Sequence, residues 1–253
     1  MLPKPKKSLG QNWLKSPTAL ATMTAAAELT SEDTVLEIGS GMGVLTEPLL
    51  ATTAKKVIAV EKDDRLIAIL QEKFKVAIET GRLELIHGDI LELGFEKLGL
   101  EEKRWKLVAN LPYYITGQLL RLALEGQNPP QNIVIMLQKE VAERIVARDG
   151  KESLLSISVK VFGEPKYLKT VPRGAFYPVP NVDSAILGIF KIKSFADSAK
   201  FFEILHRGFA HKRKLLKSNL LCSTATLAAC KIEPNARAED LGLSDWQCLT
   251  QQL

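Results

Sequence analysis

Short apolar runs and longer amphipathic stretches alternate over most of this chain. Thr34–Ile38, Lys56–Val60, Leu83–His87, Trp105–Asn110 and Asn132–Leu137 each have the length and composition of a buried strand. Helical spacing occupies the intervals. Ser16 is placed to cap a helix opening at Pro17, and further helices are expected from Leu45, over Asp64–Ala77, over Thr116–Leu124 with Thr116 as its cap, and over Lys139–Ala147. Strands alternating with helices in this way predict an α/β domain, a mostly parallel sheet with helices on both faces. Ser153–Phe162 fits both periods: Leu155, Ile157, Val159 and Val161 alternate as in a strand, while Leu154, Ile157 and Val161 follow a helical stripe. Lys166–Val171 and Ala185–Ile192 read as strands joined by a turn-rich link, an expected antiparallel pair at a sheet edge. Beyond Lys193 the spacing is helical only, over Asp197–Ala210, Lys212–Leu221 and a segment near Thr226, followed by a tail of turns. The expected division is therefore 1–193 and 194–253, the second part a small helical domain.

Composition narrows the class. Of 253 residues 46% are apolar and 25% charged, the balance of a globular protein. No apolar run approaches the ~20 residues that span a bilayer, so no membrane is expected. The basic start, Met1–Lys7, is not followed by the apolar core of a secretory signal. Cys222, Cys230 and Cys248 form no Cys-x-x-Cys pair and read as reduced thiols of a cytoplasmic protein. His87, His206 and His211 lack metal-ligand spacing, so no metal site is expected. The net charge of +5 is unevenly placed. Lys4, Lys6, Lys7 and Lys15 stand in the first twenty residues without an acid. Lys200, Arg207, Lys212, Arg213, Lys214 and Lys217 stand in 200–220 against Glu203 alone. Two such clusters suit a polyanion track, although either by itself equally suits a solvated surface.

The candidate chemistry sits where strands end. Glu37-Ile38-Gly39-Ser40-Gly41-Met42-Gly43 joins the first of these strands to a helix, and glycines there let backbone approach a ligand closely. The spacing is not the dinucleotide fingerprint, since Val44 occupies its third glycine position. Glu61, at the end of the next strand and about 20 residues past the glycines, is placed to accept both hydroxyls of a ribose. Asp89 follows the third strand; it either receives an adenine amino group or caps the next turn. Asn110-Leu111-Pro112-Tyr113-Tyr114 closes the fourth. An amide and backbone carbonyls there can take both hydrogens of an exocyclic amine, with a ring beside them to stack on the base. The link Phe176-Tyr177-Pro178-Val179-Pro180-Asn181-Val182-Asp183-Ser184 is stiffened by its prolines and holds an aromatic face in place or plugs the core.

Taken in order, Leu9-Gly10-Gln11-Asn12-Trp13-Leu14, Glu37 to Gly43, Glu61, Gly88-Asp89, Asn110 to Tyr113, Gln138-Lys139-Glu140-Val141 and Phe176 to Ser184 resemble the rRNA adenine N6-dimethyltransferases. The set covers nearly the whole chain. The resemblance implies a class I, Rossmann-like methyltransferase fold and S-adenosylmethionine as cofactor. It implies that Asn12 and Leu14 close over the cofactor, and that Gly39 and its loop pass the methionine part. Glu61 would take the ribose, Asp89 the adenine amino group, and Asn110 both the methionine end and the target amine. Leu111 and Pro112 would supply a backbone carbonyl, Tyr113 would stack on the flipped adenine and Phe176 would form a second wall. Leu111, Met136–Val141 and Phe209–Leu220 point to the small-subunit branch of the family rather than the Erm resistance enzymes. Four positions depart from the family's usual pattern: Trp13 for phenylalanine, Ser40 for proline, and His211-Lys212 for Gln-Arg.

The implied activity is dimethylation of two neighbouring adenosines near the 3′ end of 16S rRNA, on a small-subunit particle, by a cytoplasmic monomer. Arg207, Lys212, Arg213, Lys214 and Lys217 would hold RNA phosphates. The alternatives are an Erm-like enzyme acting on 23S rRNA and a ribosome-assembly factor that keeps the fold without catalysis.

Overall fold

The computed structural model describes residues 3–195 and 198–253, with the side chain of Lys7 also outside the description. The chain divides into two compact units, Met1–Ala142 with Lys166–Lys193, and Glu143–Pro165 with Ser194–Leu253. The sequence reading divides the chain once, after 193, whereas the second unit takes in 143–165 as well as 194–253.

The first unit opens with β1 (Trp13–Leu14) and α1 (Pro17–Ala26), whose first turn is closed by Ser16 Oγ accepting from Ala19 N. Then come β2 (Thr34–Ile38), α2 (Thr46–Leu50), β3 (Lys56–Glu61), α3 (Asp64–Lys73), α4 (Lys75–Glu79), β4 (Leu83–His87), α5 (Ile90–Leu93), β5 (Trp105–Asn110), α6 (Thr116–Glu125), β6 (Ile133–Gln138) and α7 (Lys139–Ile145). After α8 (Leu154–Lys160) in the second unit, the sheet gains β7 (Glu164–Val171) and β9 (Ser184–Phe190). Between them lies the two-residue β8 (Phe176–Tyr177). The sheet order is β4-β3-β2-β5-β6-β9-β7. The first five strands are parallel and β9 runs antiparallel to β6. β7 is the neighbour of β9 at the edge. β2, β3 and β5 are nearly wholly buried along their length, which explains why they read as largely apolar runs. The chain runs outward from β2 to β4, then returns to the other flank of β2 as β5. That reversal opens a crevice at the carboxyl ends of these strands.

Three local expectations change. The single helix over 64–77 is two, broken at Phe74. The Phe74 ring packs so closely on Gly43 that a Cβ there would lie 2.4 Å from it, at a backbone φ of +72°. Thr116 does not cap α6. A 3₁₀ turn over Tyr113–Ile115 runs straight into the helix, so Ile115 N already bonds Pro112 O and Thr116 N bonds Tyr113 O, and the threonine becomes the first helical residue. The ambiguous 153–162 is the helix α8, opened by a capping box in which Ser153 and Ser156 bond each other's backbone.

The second unit also contains α9 (Ser198–Gly208), α10 (Leu216–Leu220), α11 (Thr224–Ala229) and α12 (Leu243–Gln252). The expected start of α9 at Asp197 lies outside the described residues. The stretch 212–215, expected to be helical, is a loop before α10. The expected tail of turns is instead α12. Asp245 Oδ2 accepts from Gly242 N to start it, and Trp246 and Leu249 bury its inner face. This helix overturns the thiol expectation too: Cys230, just past α11, and Cys248, on α12, form a disulfide with Cα atoms 5.7 Å apart, leaving Cys222 free. Eighteen residues separate the pair, so sequence spacing alone hides it. Closing a loop of that length stabilises the unit by about 3 kcal/mol. Denaturant midpoints measured with and without reductant should differ accordingly; coincident midpoints would show that the bridge contributes nothing.

Candidate active site

The crevice is a cleft in the first unit, open at its mouth. Asn12, Leu14, Gly39, Glu61, Asp89, Asn110, Leu111, Pro112, Tyr113 and Phe176, all singled out from the sequence, line it together. The basic residues Arg207, Lys212, Arg213, Lys214 and Lys217 belong to the second unit. Lys212, Arg213 and Lys214 are exposed there. Arg207 is partly engaged, donating to Leu220 O at 2.8 Å and pairing with Glu203 at 3.6 Å.

One wall is built from the ends of β2 and β3. Gly39 N donates to Val60 O at 2.8 Å and takes φ of +74°, turning the chain sharply off β2. Gly41 N donates to one Glu61 carboxylate oxygen at 2.7 Å, and Asp63 N to the other at 2.8 Å. Glu61 is thus fixed by backbone while each oxygen keeps a lone pair for a ligand hydroxyl. Burial raises its pKa, against the pull of those two N–H groups. Glu37, fully buried behind the loop, accepts from Thr46 Oγ1 at 2.6 Å. Burial pushes it up to about 8, so near neutral pH it is a protonated acid.

The chain before β1 forms a second wall. Its anchor is Asp63, which the sequence did not single out. Asp63 receives Gln11 Nε2 at 2.8 Å, Lys6 Nζ at 3.2 Å and the Arg65 guanidinium at 2.6 and 2.9 Å. Arg65 above all holds this carboxyl far below the usual carboxylate range. The signal available is an aspartate two residues past a strand-end glutamate, at the cap of a helix; its partners Lys6 and Gln11, more than 50 residues away, are invisible in the sequence. Gly10 lies under the Tyr114 ring, where a Cβ would meet it at 3.2 Å with φ already +62°. Downstream, β1 pairs antiparallel with β8, Trp13 opposite Tyr177 and Leu14 opposite Phe176.

The capping reading of Asp89 holds. Its side chain caps α5 by accepting from Leu91 N at 3.0 Å, and it lines the cleft. Lys62 Nζ sits 2.5 Å away; burial raises the carboxyl's pKa, but Lys62 and the Leu91 N–H outweigh it and the net shift is downward. At the end of β5 the Asn110 amide has no hydrogen-bond partner among the described residues. Tyr113 is held by a 2.7 Å hydrogen bond between its hydroxyl and the buried Ser184 Oγ. Burial raises its pKa, so the ring is a neutral phenol. Phe176 reaches the cleft from the apolar core and is 1% exposed, whereas Tyr177 and Tyr114 face solvent. No cluster of potential metal ligands, and no helix long and apolar enough to cross a membrane, occurs among the described residues.

These donors and acceptors fit S-adenosylmethionine. Glu61 suits its ribose diol, Asp89 an amino group on its base, and the glycine turn admits its amino acid end. Two buried polar atoms of the wall, Trp13 Nε1 and Ser40 Oγ, have no protein partner among the described residues. The mostly parallel sheet with this switch point, glycine turn and strand-end acids is the fold of the S-adenosylmethionine-dependent methyltransferases.

Within that class the chain belongs to the ribosomal RNA adenine dimethylase family, whose profile matches residues 3–252. It is 43% identical to the ribosomal RNA small subunit methyltransferase A of Dehalococcoides mccartyi, over 97% of this chain and 87% of that one. It is 37% identical to the protein of that name in a Geobacillus strain, over 98% and 91%. Among solved structures, the 23S rRNA methyltransferase ErmE aligns with a TM-score of 0.80 at 25% identity, over 96% of this chain and 99% of that one. A dimethyladenosine transferase from Plasmodium falciparum aligns at 0.78 and 28%, over 94% and 95%. The protein is an rRNA adenine methyltransferase that uses S-adenosylmethionine.

Proposed function

We propose that this enzyme dimethylates N6 of two adjacent adenosines near the 3′ end of 16S rRNA, on the small ribosomal subunit, as a cytoplasmic monomer with a part in subunit biogenesis. The observation that carries the chemistry is the unpartnered Asn110 amide at the cleft, beside the Leu111–Pro112 backbone and the fixed Tyr113 ring. Adenine N6 is a weak nucleophile because its lone pair is delocalised into the ring. The protein's task is to extract the base, hold it and free that lone pair. Asn110 Oδ1 accepts one N6 hydrogen and a backbone carbonyl accepts the other. Pro112 O already receives Ile115 N at 3.2 Å, which makes Leu111 O the better second acceptor. Held so, the nitrogen pyramidalises and points into the cofactor side of the cleft. Tyr113 stacks on the base, Ser184 keeps the phenol from swinging, and Phe176 closes the far side. Bound S-adenosylmethionine supplies the electrophilic methyl group. The rate then comes from positioning, and the proton of the acidic methylated ammonium leaves to solvent. For the second transfer the mono-methylated amine turns, keeping one hydrogen for Asn110.

The small-subunit target is supported by the name borne by relatives at 37–43% identity over nearly the whole chain, against 25% for the 23S enzyme. Labelled methyl transfer to unmodified small subunits, with 23S rRNA as comparator, tests it. Two N6-dimethyladenosines on the small subunit are expected. Transfer to 23S rRNA alone would move the enzyme to the Erm branch, and binding without transfer would favour an assembly factor.

The exposed Lys212, Arg213 and Lys214 of the second unit are proposed to meet rRNA phosphates, together with Arg207 and Lys217. Each phosphate neutralised adds about 0.7–0.9 to the slope of log affinity against log salt. Replacing the three by alanine should therefore lower that slope by about two. An unaltered slope would place the RNA track elsewhere.

A further inference from the structure

Trp13 and Ser40 both stand on the cleft wall, and each side chain has a hydrogen-bonding atom. Both atoms, Trp13 Nε1 and Ser40 Oγ, are buried and have no partner among the described residues. Ser40 as a whole is 5% exposed. The two are neighbours through Gly41. A Cβ on that glycine would lie 3.6 Å from Trp13 Cδ1 and 3.7 Å from Nε1, so the pyrrole edge of the indole rests on the residue that follows Ser40. Trp105 and Trp246 also have unpaired indole nitrogens, but both rings are fully enclosed and neither lines the cleft.

An unpaired buried polar atom carries a free-energy cost, and a ligand that pairs it recovers that cost as affinity. The chemistry of the two atoms selects the group. An indole N–H only donates, and a serine hydroxyl has one proton to give. Glu61 and Asp89 are acceptors suited to the hydroxyls and amino group of the adenosine half. On the cofactor's amino acid half the ammonium only donates; its carboxylate only accepts, and that half runs past the glycine turn to which Ser40 belongs. We propose that Trp13 and Ser40 together form a carboxylate subsite for the amino acid end of S-adenosylmethionine. The subsite rests on the cleft being the cofactor site.

Calorimetric titration of the whole protein with S-adenosylhomocysteine and with 5′-methylthioadenosine, which lacks the amino acid end, separates the possibilities. Trp13→Phe and Ser40→Ala should each weaken S-adenosylhomocysteine binding about three- to tenfold. Neither should change affinity for 5′-methylthioadenosine. Without ligand, both variants should melt at or above the wild-type temperature, since each loses an unpaired buried polar atom. Unchanged S-adenosylhomocysteine affinity, or equal losses for both ligands, would overturn the carboxylate subsite. Failure of the unmodified protein to bind either ligand would overturn the assignment of the cleft itself.

Discussion

Asn110→Ala is expected to lower kcat for methyl transfer by about 10²- to 10³-fold, the loss seen when one preorganised polar contact to a reacting group is removed. The amide has no protein partner among the described residues, so its removal strands nothing and the variant should melt close to wild type. Affinity for rRNA should also hold, because the proposed phosphate contacts lie in the second unit. Single-turnover transfer with saturating cofactor and substrate isolates the chemical step. Turnover within about threefold of wild type would remove Asn110 from the role given to it, since positioning by a hydrogen bond made during reaction cannot be lost without a larger effect.

The second large effect concerns Glu37 and pH. Burial raises its folded-state pKa from an ordinary 4.5 to about 8. An acid whose pKa rises on folding binds its proton more tightly in the native state. Its contribution to stability is fully present below the unfolded value near 4.5 and is lost as pH rises through about 8. At about 1.4 kcal/mol for each pKa unit, the loss across that window is on the order of 3–5 kcal/mol. Glu37→Gln keeps the shape and an oxygen for Thr46 Oγ1 but cannot ionise. Urea unfolding between pH 5 and about 9 should show the wild type losing stability while the variant, in that respect, does not. Parallel pH profiles for the two proteins would mean that Glu37 carries its charge in the fold, compensated by Lys73, the nearby cation that opposes its burial.

Much of the architecture could be read from local signals because those signals are local in origin. β2, β4 and β5 occur at the residues expected; β2 and β5 are buried on both faces, which leaves little alternative to a largely apolar run, while β4, at the sheet edge, buries only Leu83. Ser16 caps α1 as expected because capping is a three-residue contact. The errors have equally physical origins. Thr116 has the right side chain for a cap, but the preceding 3₁₀ turn leads straight into the helix and leaves Thr116 with helical backbone angles, φ −53° and ψ −49°, in place of the extended ones a cap needs. Segment 153–162 was undecidable by period and was settled by a serine pair acting as a capping box. The helix α12 buries only Trp246 and Leu249, a stripe too short to tell from turns, and the Cys230–Cys248 bridge that depends on it is hidden from the sequence for the same reason.

The amino-acid order alone determined the class of the sheet, the identity of the strand-end residues Gly39, Glu61, Asp89 and Asn110, and the family resemblance, because each depends on residue type and spacing within a single strand and its loop. Only the tertiary structure decided that these residues share one cleft, that Asp63 ties Lys6 and Gln11 to the start of α3, that Ser184 holds Tyr113, and that Trp13 and Ser40 present unpaired polar atoms to the same wall. Those contacts join residues as much as 71 positions apart. Their formation depends on which strands the sheet places side by side, and no local pattern of polarity encodes that order.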